Sequence, residues 1–245
     1  MTNAPTIEAK GVHAYYDTSH VLHGIDLTVN QGEIVSLMGR NGMGKTTTLR
    51  ALVGLIRPRQ GTVFVRGIDL TGAPAHQIAL AGIAMVPEGG GIFPKLTAYE
   101  NLVMAARPGR DGKARWTLED VLELLPRLSE RLRNMGGNLS GGERQMLAIG
   151  RALMTNPDLL ILDEATEGLA PLVRQDIWAT IRRLRASGVA VLVVDKDIDT
   201  LATIADRCAV IAKGRIVYSG TPTALAAERD VMAPTCCCSG SFSLK

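Results

Sequence analysis

Residues 39–46, Gly-Arg-Asn-Gly-Met-Gly-Lys-Thr, restrict the fold of this chain more than any other segment. Three glycines leave backbone N–H groups open to close approach by an anion, as a loop that cradles phosphate oxygens requires; they are Gly39, Gly42 and Gly44. Lys45 can place a cation on the outer phosphates of a nucleotide, and Thr46 can place a hydroxyl on Mg²⁺. The segment therefore predicts a nucleotide-phosphate site made by a strand, a loop and a helix.

Hydrophobic patterning supplies the strand and the helix on either side of this loop. The apolar run Ile34–Met38 suits a central parallel strand, and a helix is predicted over residues 46–55, with its positive end towards the anion. Period-2 alternation indicates half-buried strands at residues 6–12 and 25–29. Further strands are predicted at residues 61–65, 83–86, 159–162, 189–194, 208–212 and 215–219, and helical segments at residues 97–135, 140–154 and 172–186. Within residues 97–135, Thr97 with Glu100 and Thr117 with Asp120 have the spacing of capping boxes, which indicates two helix starts. Strands that alternate with helices predict an α/β core.

Length and composition limit the classes of protein that this chain can belong to. Its 245 residues, 46% of them hydrophobic and 21% charged, fit one large α/β domain or one domain with a small inserted lobe. Aromatic residues make up only 4%, and a net charge of +3 is weak, so nucleic acid is not expected as a partner. No apolar run approaches the roughly 18 residues of a membrane-spanning helix, and the first eight residues do not resemble a signal peptide.

The carboxyl end of the chain is predicted to be separate from the fold. We expect a single domain over residues 1–233 and an unstructured tail over residues 234–245. Cys208 lies in an apolar, strand-like run, whereas Cys236, Cys237 and Cys238 are consecutive in the tail. Consecutive cysteines converge poorly on one tetrahedral zinc ion and no histidine is near them in the sequence, so no metal site is expected there.

An acidic pair follows the apolar run at residues 159–162. Asp163 ends this predicted strand, where it can enter the magnesium shell, and Glu164 follows it. A carboxylate at that point can polarise a water molecule for attack on the γ-phosphate. Many strands end in acidic residues without any catalytic role, but the phosphate-binding loop earlier in the chain favours the catalytic interpretation.

A pair of glycines lies at the predicted start of a helix, in residues 138–145, Asn-Leu-Ser-Gly-Gly-Glu-Arg-Gln. Ser140 and Glu143 have the spacing of a capping box, while Gly141 and Gly142 add an open backbone that can receive a phosphate. Together with the two preceding motifs, this segment resembles the signature of ABC ATPases, and the resemblance spans residues 6–228. It implies a P-loop NTPase (RecA-like) core, with an amino-terminal antiparallel β region and an α-helical subdomain inserted at about residues 95–140.

The resemblance further implies a nucleotide site that is shared between two chains. ATP and Mg²⁺ would bind to the loop of one chain, where Asn41 and Thr47 are also assigned to the nucleotide, and Ser140, Gly141 and Gly142 of the other chain would close over it. Tyr16 falls where the family stacks an aromatic ring on adenine, although the neighbouring Tyr15 could exchange roles with it.

Three positions depart from the pattern of the family. Glu88 stands where most members carry a glutamine that senses Mg²⁺, and its carboxylate can still approach the metal. Lys196 stands where a histidine usually contacts the γ-phosphate; it could donate to that phosphate or lie solvated in a loop. Ala170 replaces an aspartate that the family uses for communication between the two chains.

Within the family, one subgroup is similar to this chain at residues 86–97 and 164–171. It contains the shorter of the two ATPases that drive branched-chain amino acid importers, and urea or short-amide importers share these features. The resemblance implies four expectations: a second, homologous ATPase that is a different chain, transmembrane permease subunits, an external solute-binding protein that acts indirectly, and a peripheral location on the cytoplasmic face of the plasma membrane.

Other classes fit the sequence less well. A soluble, non-transport ABC ATPase usually carries two cassettes in one chain, and a DNA-repair ATPase needs a long heptad insertion. A small-molecule kinase would share residues 39–46 but has no use for residues 140–143. An exporter-type or regulatory cassette stays open as an alternative.

Overall fold

The computed structural model describes residues 4–195 and 198–227. Its strands are β1 (Ile7–Tyr16), β2 (Ser19–Val29), β3 (Ile34–Met38), β4 (Gln60–Val65), β5 (Ile68–Asp69), β6 (Ile83–Val86), β7 (Leu159–Asp163), β8 (Ala190–Val194), β9 (Arg207–Ala212) and β10 (Arg215–Gly220). Its α-helices are α1 (Lys45–Leu52), α2 (Ala75–Leu80), α3 (Ala98–Val103), α4 (Leu118–Leu124), α5 (Pro126–Ser129), α6 (Gly141–Leu153), α7 (Pro171–Ala186), α8 (Ile198–Ile204) and α9 (Pro222–Ala227). The predictions for Lys196, for the tail and for its three cysteines lie outside the described residues.

The strands of the described chain form two sheets. One is antiparallel, with the order β2-β1-β4-β5, and it confirms the predicted amino-terminal antiparallel region. The other has the order β10-β9-β3-β8-β7-β6; all its neighbours are parallel except β10, which runs antiparallel to β9. A parallel sheet whose strands alternate with helices confirms the predicted α/β core.

The central strands are buried on both faces, and successive side chains enter two different cores. All five residues of β3, β7 and β8 are buried. Along β7, Leu160 and Leu162 face the core formed with α6 and α7, whereas Leu159 and Ile161 face the core formed with α1 and the antiparallel sheet. This alternation follows from the period of two in a strand, and burial on both faces explains the continuous apolar runs in the sequence.

The segment predicted as helical at residues 97–135 contains three short helices, α3, α4 and α5, separated by irregular chain. The interruption between α3 and α4 includes a turn in which the Gly109 N–H donates to the Lys113 carbonyl oxygen at 2.8 Å. Proline at 108 and glycines at 109 and 112 break the helix there, since both residue types are poor helix formers. The capping boxes of Thr97 with Glu100 and of Thr117 with Asp120 are both formed.

Helix α1 ends at Leu52, earlier than the predicted end at residue 55. Three further helices, α2, α8 and α9, are not predicted from the sequence. Gly54 adopts a φ of +73°, and the Leu55 N–H turns back to the Arg50 carbonyl oxygen at 2.9 Å, which closes the helix at Leu52. Helices α2, α8 and α9 are only six or seven residues long, too short to give a clear helical period. Within the described part of the chain, no helix has both the length and the apolar character needed to cross a bilayer.

Candidate active site

Four neighbouring parallel strands deliver the candidate residues to one edge of the large sheet. The loop at residues 39–44 follows β3, Asp195 follows β8, Glu164 follows β7 and Glu88 lies two residues after β6. Because these strands are parallel and adjacent, their carboxyl ends meet at the same edge. Ligands of open α/β sheets bind at that edge, so the topology brings together residues that are far apart in the sequence.

The phosphate-binding loop is packed so closely that side chains are excluded at two of its glycines. A Cβ atom on Gly39 would lie 2.4 Å from the Ile211 carbonyl oxygen, and one on Gly44 would lie 2.9 Å from Leu22 Cδ2. Gly44 also adopts a φ of +106°, where it directly precedes α1. Glycine is the residue that tolerates both restrictions, and the loop therefore presents its backbone at the start of α1.

Lys45 is the first residue of α1, directly after this loop, and is 7% exposed. Its Nζ donates hydrogen bonds to the carbonyl oxygens of Gly39 at 2.9 Å and Arg40 at 3.2 Å. These bonds hold the loop in a ring around the ammonium group, which puts a positive charge where the loop can receive an anion. Asn41 and Gly42 are exposed at the tip of the loop, and Thr47 is buried on α1.

A hydroxyl at the start of α1 lies beside a carboxylate at the end of β7. Thr46 Oγ1 donates to Asp163 Oδ1 at 3.4 Å, and Asp163 is 2% exposed. Burial raises the pKa of the Asp163 carboxyl and nearby Glu88 acts in the same direction, whereas the Thr46 hydrogen bond, Arg50 and Lys45 lower it. A buried carboxylate beside a hydroxyl is an oxygen donor pair of the kind that Mg²⁺ prefers, so these residues fit the predicted metal.

Three further carboxylates converge beside this pair. Oxygen atoms of Glu88, Glu164 and Glu167 all lie within 4.8 Å of one another. Glu164 adopts a φ of +50°, which is uncommon for a residue other than glycine, and its N–H donates to the Val194 carbonyl oxygen at 2.8 Å. Glu88 and Glu164 are expected at the site from the sequence, whereas Glu167 is not, because its approach to them depends on this turn after β7.

Asp195 is a second residue whose place in the site is not predicted from the sequence. Its Oδ2 accepts hydrogen bonds from the Thr166 N–H at 3.1 Å and from Thr166 Oγ1 at 2.7 Å, and both residues are buried. This pair of hydrogen bonds ties the end of β8 to the turn that carries Glu164 and Glu167. The sequence offers one signal for Asp195 itself, an aspartate at the end of an apolar strand, but no signal for its hydrogen bonds with Thr166.

The two candidate adenine-stacking residues have different surroundings. The ring of Tyr15 stacks on His20 with centroids 4.1 Å apart, and the Arg59 guanidinium lies 4.3 Å from its centroid. Tyr16 is 43% exposed, and its hydroxyl accepts a hydrogen bond from Arg50 Nη1 at 3.3 Å. Because Tyr15 is already in contact with two side chains, the geometry favours Tyr16 as the ring that is open to a base.

The predicted signature segment begins α6 with a complete capping box. Ser140 Oγ accepts from the Glu143 N–H at 3.3 Å, and Glu143 accepts from the Ser140 N–H and from Arg131 Nε, each at 2.8 Å. The Ser140 backbone hydrogen bond is the main reason that the pKa of the Glu143 carboxyl is lowered. Ser140 and Gly141 are exposed while Gly142 is buried, so the helix start is open to a partner. Ala170 is exposed immediately before α7.

Comparison with known proteins agrees with this arrangement. The family described as ABC transporter matches residues 22–167. BraG of Pseudomonas aeruginosa, a high-affinity branched-chain amino acid transport ATP-binding protein, is 44% identical over 214 residues, which cover 87% of this chain and 92% of BraG. LptB of Escherichia coli K12, the ATP-binding protein of a lipopolysaccharide export system, is 36% identical over 228 residues, 92% of this chain and 95% of LptB.

A solved structure supports the same fold. The crystal structure of a nucleotide-free ATP-binding cassette from an ABC transporter aligns with a TM-score of 0.80 and 25% identity, over 94% of this chain and 98% of that one. The P-loop NTPase fold expected from the sequence is therefore confirmed over nearly the whole chain.

Proposed function

The chain belongs to the ABC transporter family as an ATP-hydrolysing, ATP-binding protein, and we propose that it powers the import of branched-chain amino acids. The observation that carries the choice of substrate is the 44% identity with BraG over 87% of the chain. The residues that would perform the hydrolysis come together at one edge of the large sheet, which supports the ATPase part of the proposal independently.

The adenine base and the phosphates of the nucleotide would be bound by different residues. The exposed ring of Tyr16, held by Arg50, would stack on adenine. Lys45 would turn from the carbonyl oxygens of Gly39 and Arg40 to the β- and γ-phosphates, while Gly42, Gly44, Asn41 and Thr47 complete the loop and the first turn of α1 around them. The exchange costs little, because the ammonium group gains anionic acceptors in place of neutral ones.

Mg²⁺ would be held by the Thr46 hydroxyl and the Asp163 carboxylate, with Glu88 approaching from β6. When bound, the ion neutralises charge on the β- and γ-phosphates. The burial that raises the pKa of Asp163 makes a cation at this place favourable, since an unpaired buried carboxylate is costly.

Glu164 would act as the general base that polarises the attacking water. Its backbone is fixed by the bond to Val194, and the turn that follows is fixed by the bonds between Asp195 and Thr166. A base held from both sides has few alternative positions, which favours productive alignment with the γ-phosphate. We assign Lys196 as a further cation for that phosphate, in place of the usual histidine.

A second ATPase subunit would complete the site. Ser140 and Gly141 are exposed at the start of α6, where the backbone N–H groups of Gly141 and Gly142 and the positive helix end favour a phosphate from the partner's nucleotide. We propose a heterodimer with a homologous ATPase, in which Ser140, Gly141 and Gly142 of each chain close over the ATP of the other.

The permease would dock beside Glu88 and the short helices. Exposed apolar side chains cluster around α3, and they are Phe93, Tyr99, Val103 and Met104. A cavity of about 220 Å³ opens between α2, β6 and α6, lined among others by Met85, Gly90, Arg107 and Arg151. Exposed apolar surface next to a cleft is typical of a protein interface, and closure of the dimer would move this surface with Glu88. The subunit would thus lie peripherally at the cytoplasmic face, and an external solute-binding protein would select the solute.

Lipopolysaccharide export is the second candidate, because LptB is 36% identical over 92% of the chain. Uptake assays separate the two functions. In cells that lack this chain, we expect radiolabelled leucine, isoleucine and valine uptake to fall, and to be restored by the wild-type chain but not by Lys45→Ala. Normal uptake of these amino acids together with a loss of lipopolysaccharide from the cell surface would favour export. A selective loss of urea or short-amide uptake would instead indicate that urea or short amides are the transported solutes.

A further inference from the structure

The turn between β9 and β10 lies against the phosphate-binding loop, outside the residues assigned to catalysis. It consists of Lys213 and Gly214, which adopt φ values of +46° and +71°. Strand β9 is parallel to β3 and adjacent to it, so the carboxyl end of β9 brings this turn beside the loop that follows β3. Gly214 is buried, whereas Lys213 is exposed. The turn is therefore a neighbour of the nucleotide site to which no role has been assigned.

On one side, the turn is hydrogen-bonded to the phosphate-binding loop through Met43. The Gly214 N–H donates to the Met43 carbonyl oxygen at 3.0 Å, and the Lys213 N–H donates to Met43 Sδ at 3.2 Å. A thioether is a weak acceptor, so the bond to the carbonyl oxygen is the stronger of the two. Met43 lies between Gly42 and Gly44. The turn therefore holds the loop between two glycines, the residues that restrain a backbone least.

On the other side, the turn is packed against the backbone of β2. The His23 N–H donates to the Gly214 carbonyl oxygen at 2.8 Å. A Cβ atom on Gly214 would overlap the Val21 carbonyl oxygen and would lie 2.8 Å from His23 Cδ2. Only glycine combines this close approach with a positive φ at no steric cost. Gly214 is thus the point at which the backbones of β2 and of the phosphate-binding loop are both fixed.

Strand β2 connects this point to the ring that is proposed to stack on adenine. It pairs with β1 as far as Tyr16, the last residue of β1. The centroid of His23 lies 3.9 Å from that of His20, and His20 stacks on Tyr15 with centroids 4.1 Å apart. Because Tyr15 directly precedes Tyr16, paired backbone and packed rings form a continuous path from Gly214 to the adenine-stacking ring.

The β1–β2 hairpin along this path is held together by further hydrogen bonds. His13 Nδ1 and His20 Nε2 are 3.0 Å apart, so one of these nitrogens donates to the other. The Arg59 N–H donates to the His13 carbonyl oxygen at 2.9 Å, and Arg59 Nη2 donates to the Asp17 carbonyl oxygen at 2.6 Å. A displacement of β2 beside the turn is therefore carried to the tip of the hairpin rather than absorbed within it.

Two side-chain contacts also join the hairpin to the loop and α1, but they restrict its position less. Arg50 Nη1 donates to the Tyr16 hydroxyl at 3.3 Å, and Arg50 is exposed. Leu22 Cδ2 lies 2.9 Å from the place of a Cβ atom on Gly44, an apolar contact that has no preferred direction. Hydrogen bonds between backbones fix direction as well as distance, so the turn is the main restraint between the hairpin and the loop.

We propose that Gly214 is a positioning residue for ATP, because the β9–β10 turn sets the separation between the ring of Tyr16 and the phosphate-binding loop. One ATP molecule gains both contacts only where this separation matches the length between its base and its phosphates. A ligand that occupies the loop alone does not depend on the separation. This inference rests on the proposed function, since it takes ATP as the ligand and Tyr16 as the ring that binds its base.

Gly214→Ala tests the inference, because the added Cβ atom forces the turn away from the Val21 carbonyl oxygen and changes the separation. Isothermal titration of the full chain with a non-hydrolysable ATP analogue and with inorganic triphosphate measures the two affinities. We expect ATP affinity to fall about tenfold, the contribution of base stacking, while triphosphate affinity stays within about twofold of the wild type.

Gly112→Ala is the matched control. Gly112 has a φ of +76°, close to that of Gly214, but a Cβ atom there meets nothing within 4 Å. The substitution introduces the same backbone strain without an overlap, and it should leave both affinities as in the wild type. Met43→Leu removes only the thioether acceptor with little change in volume. It should give a smaller loss, confined to ATP, and it keeps the test available should Gly214→Ala fold poorly, as judged by circular dichroism.

A double-mutant cycle with Tyr16→Ala separates positioning from a general loss of structure. In the Tyr16→Ala background, Gly214→Ala should cause no further loss of ATP affinity, because the ring on which the turn acts is absent. Additive losses in the cycle, a parallel loss of ATP and triphosphate affinity, or unchanged ATP affinity in Gly214→Ala would each overturn the positioning role alone. A wild type that binds triphosphate but gains nothing from the base of ATP would overturn the proposed adenine site together with this inference.

Discussion

Thr46 and Asp163 lie 117 positions apart in the chain, yet Thr46 Oγ1 donates a hydrogen bond to Asp163 Oδ1. This contact joins the start of α1 to the end of β7, although β8 lies between β3 and β7 in the sheet. The hydroxyl and the carboxylate that would hold Mg²⁺ are therefore brought together by the fold itself.

Lys45→Ala should weaken ATP binding by roughly 10- to 100-fold, since charged hydrogen bonds contribute about 1.5–3 kcal/mol. The variant also loses the bonds from Nζ to Gly39 and Arg40, so the loop should become less ordered. Isothermal titration with a non-hydrolysable ATP analogue measures the affinity. Lys95→Ala, which removes an exposed lysine, is the matched control, and equal affinities in all three proteins would refute the phosphate role of Lys45.

Tyr16→Ala should weaken ATP binding about tenfold, because stacking of a base on an aromatic ring contributes roughly 1–3 kcal/mol. Tyr15→Ala should have a smaller effect on affinity and a larger one on stability, as its ring is covered by His20 and Arg59. Titration of both variants with ATP and with inorganic triphosphate isolates the contribution of the base. A larger loss of ATP affinity in Tyr15→Ala would reverse the assignment.

Asp195→Asn and Thr166→Val should each lower the ATPase kcat with little change in KM, because both residues act on the turn that carries Glu164. Each leaves a buried polar group with a weakened or missing partner, at a cost of about 1–3 kcal/mol in stability. A double-mutant cycle that uses urea unfolding and kcat measures the coupling. Additive effects on both quantities would show that this pair does not position the turn.

Stability should depend on Glu143 at acid pH. Because the folded-state pKa of this carboxyl is lowered, its stabilising effect is complete above its ordinary pKa of about 4.3 and is lost as the pH falls through the folded value. Thermal unfolding across that range should show a steeper acid decline for the wild type than for Glu143→Gln. Parallel curves for the two proteins would contradict a lowered pKa for Glu143 in the folded state.

Local chemistry made much of this fold predictable. The phosphate-binding loop, the buried strands and the three capping boxes each depend on residues within about eight positions of one another, so their patterns are visible in the sequence. The break between α3 and α4 is marked by one proline and two glycines, and the capping box of Thr117 with Asp120 marks where the next helix begins. Short helices such as α2 have no strong period, and tertiary packing decides their existence.

The parts of the site that could not be predicted depend on contacts across the sheet. Glu167 joins Glu88 and Glu164 because of a turn at positive φ, and Asp195 bonds to Thr166 because β8 lies beside β7. The contact of His13 with His20 depends on register shifts within the β1–β2 pair. None of these contacts is indicated by a local sequence pattern, because the distance between the side chains is set only by the completed fold.

The most direct test of the account compares steady-state phosphate release by Glu164→Gln and by Glu167→Gln, with ATP binding measured on both. The two substitutions remove the same charge from neighbouring carboxylates, but only Glu164 is assigned as the base. We predict that Glu164→Gln binds ATP normally and loses about 10²- to 10⁴-fold in kcat, whereas Glu167→Gln loses less than about tenfold. Undiminished hydrolysis by Glu164→Gln, or equal losses in both variants, would contradict the assignment of Glu164 as the catalytic base.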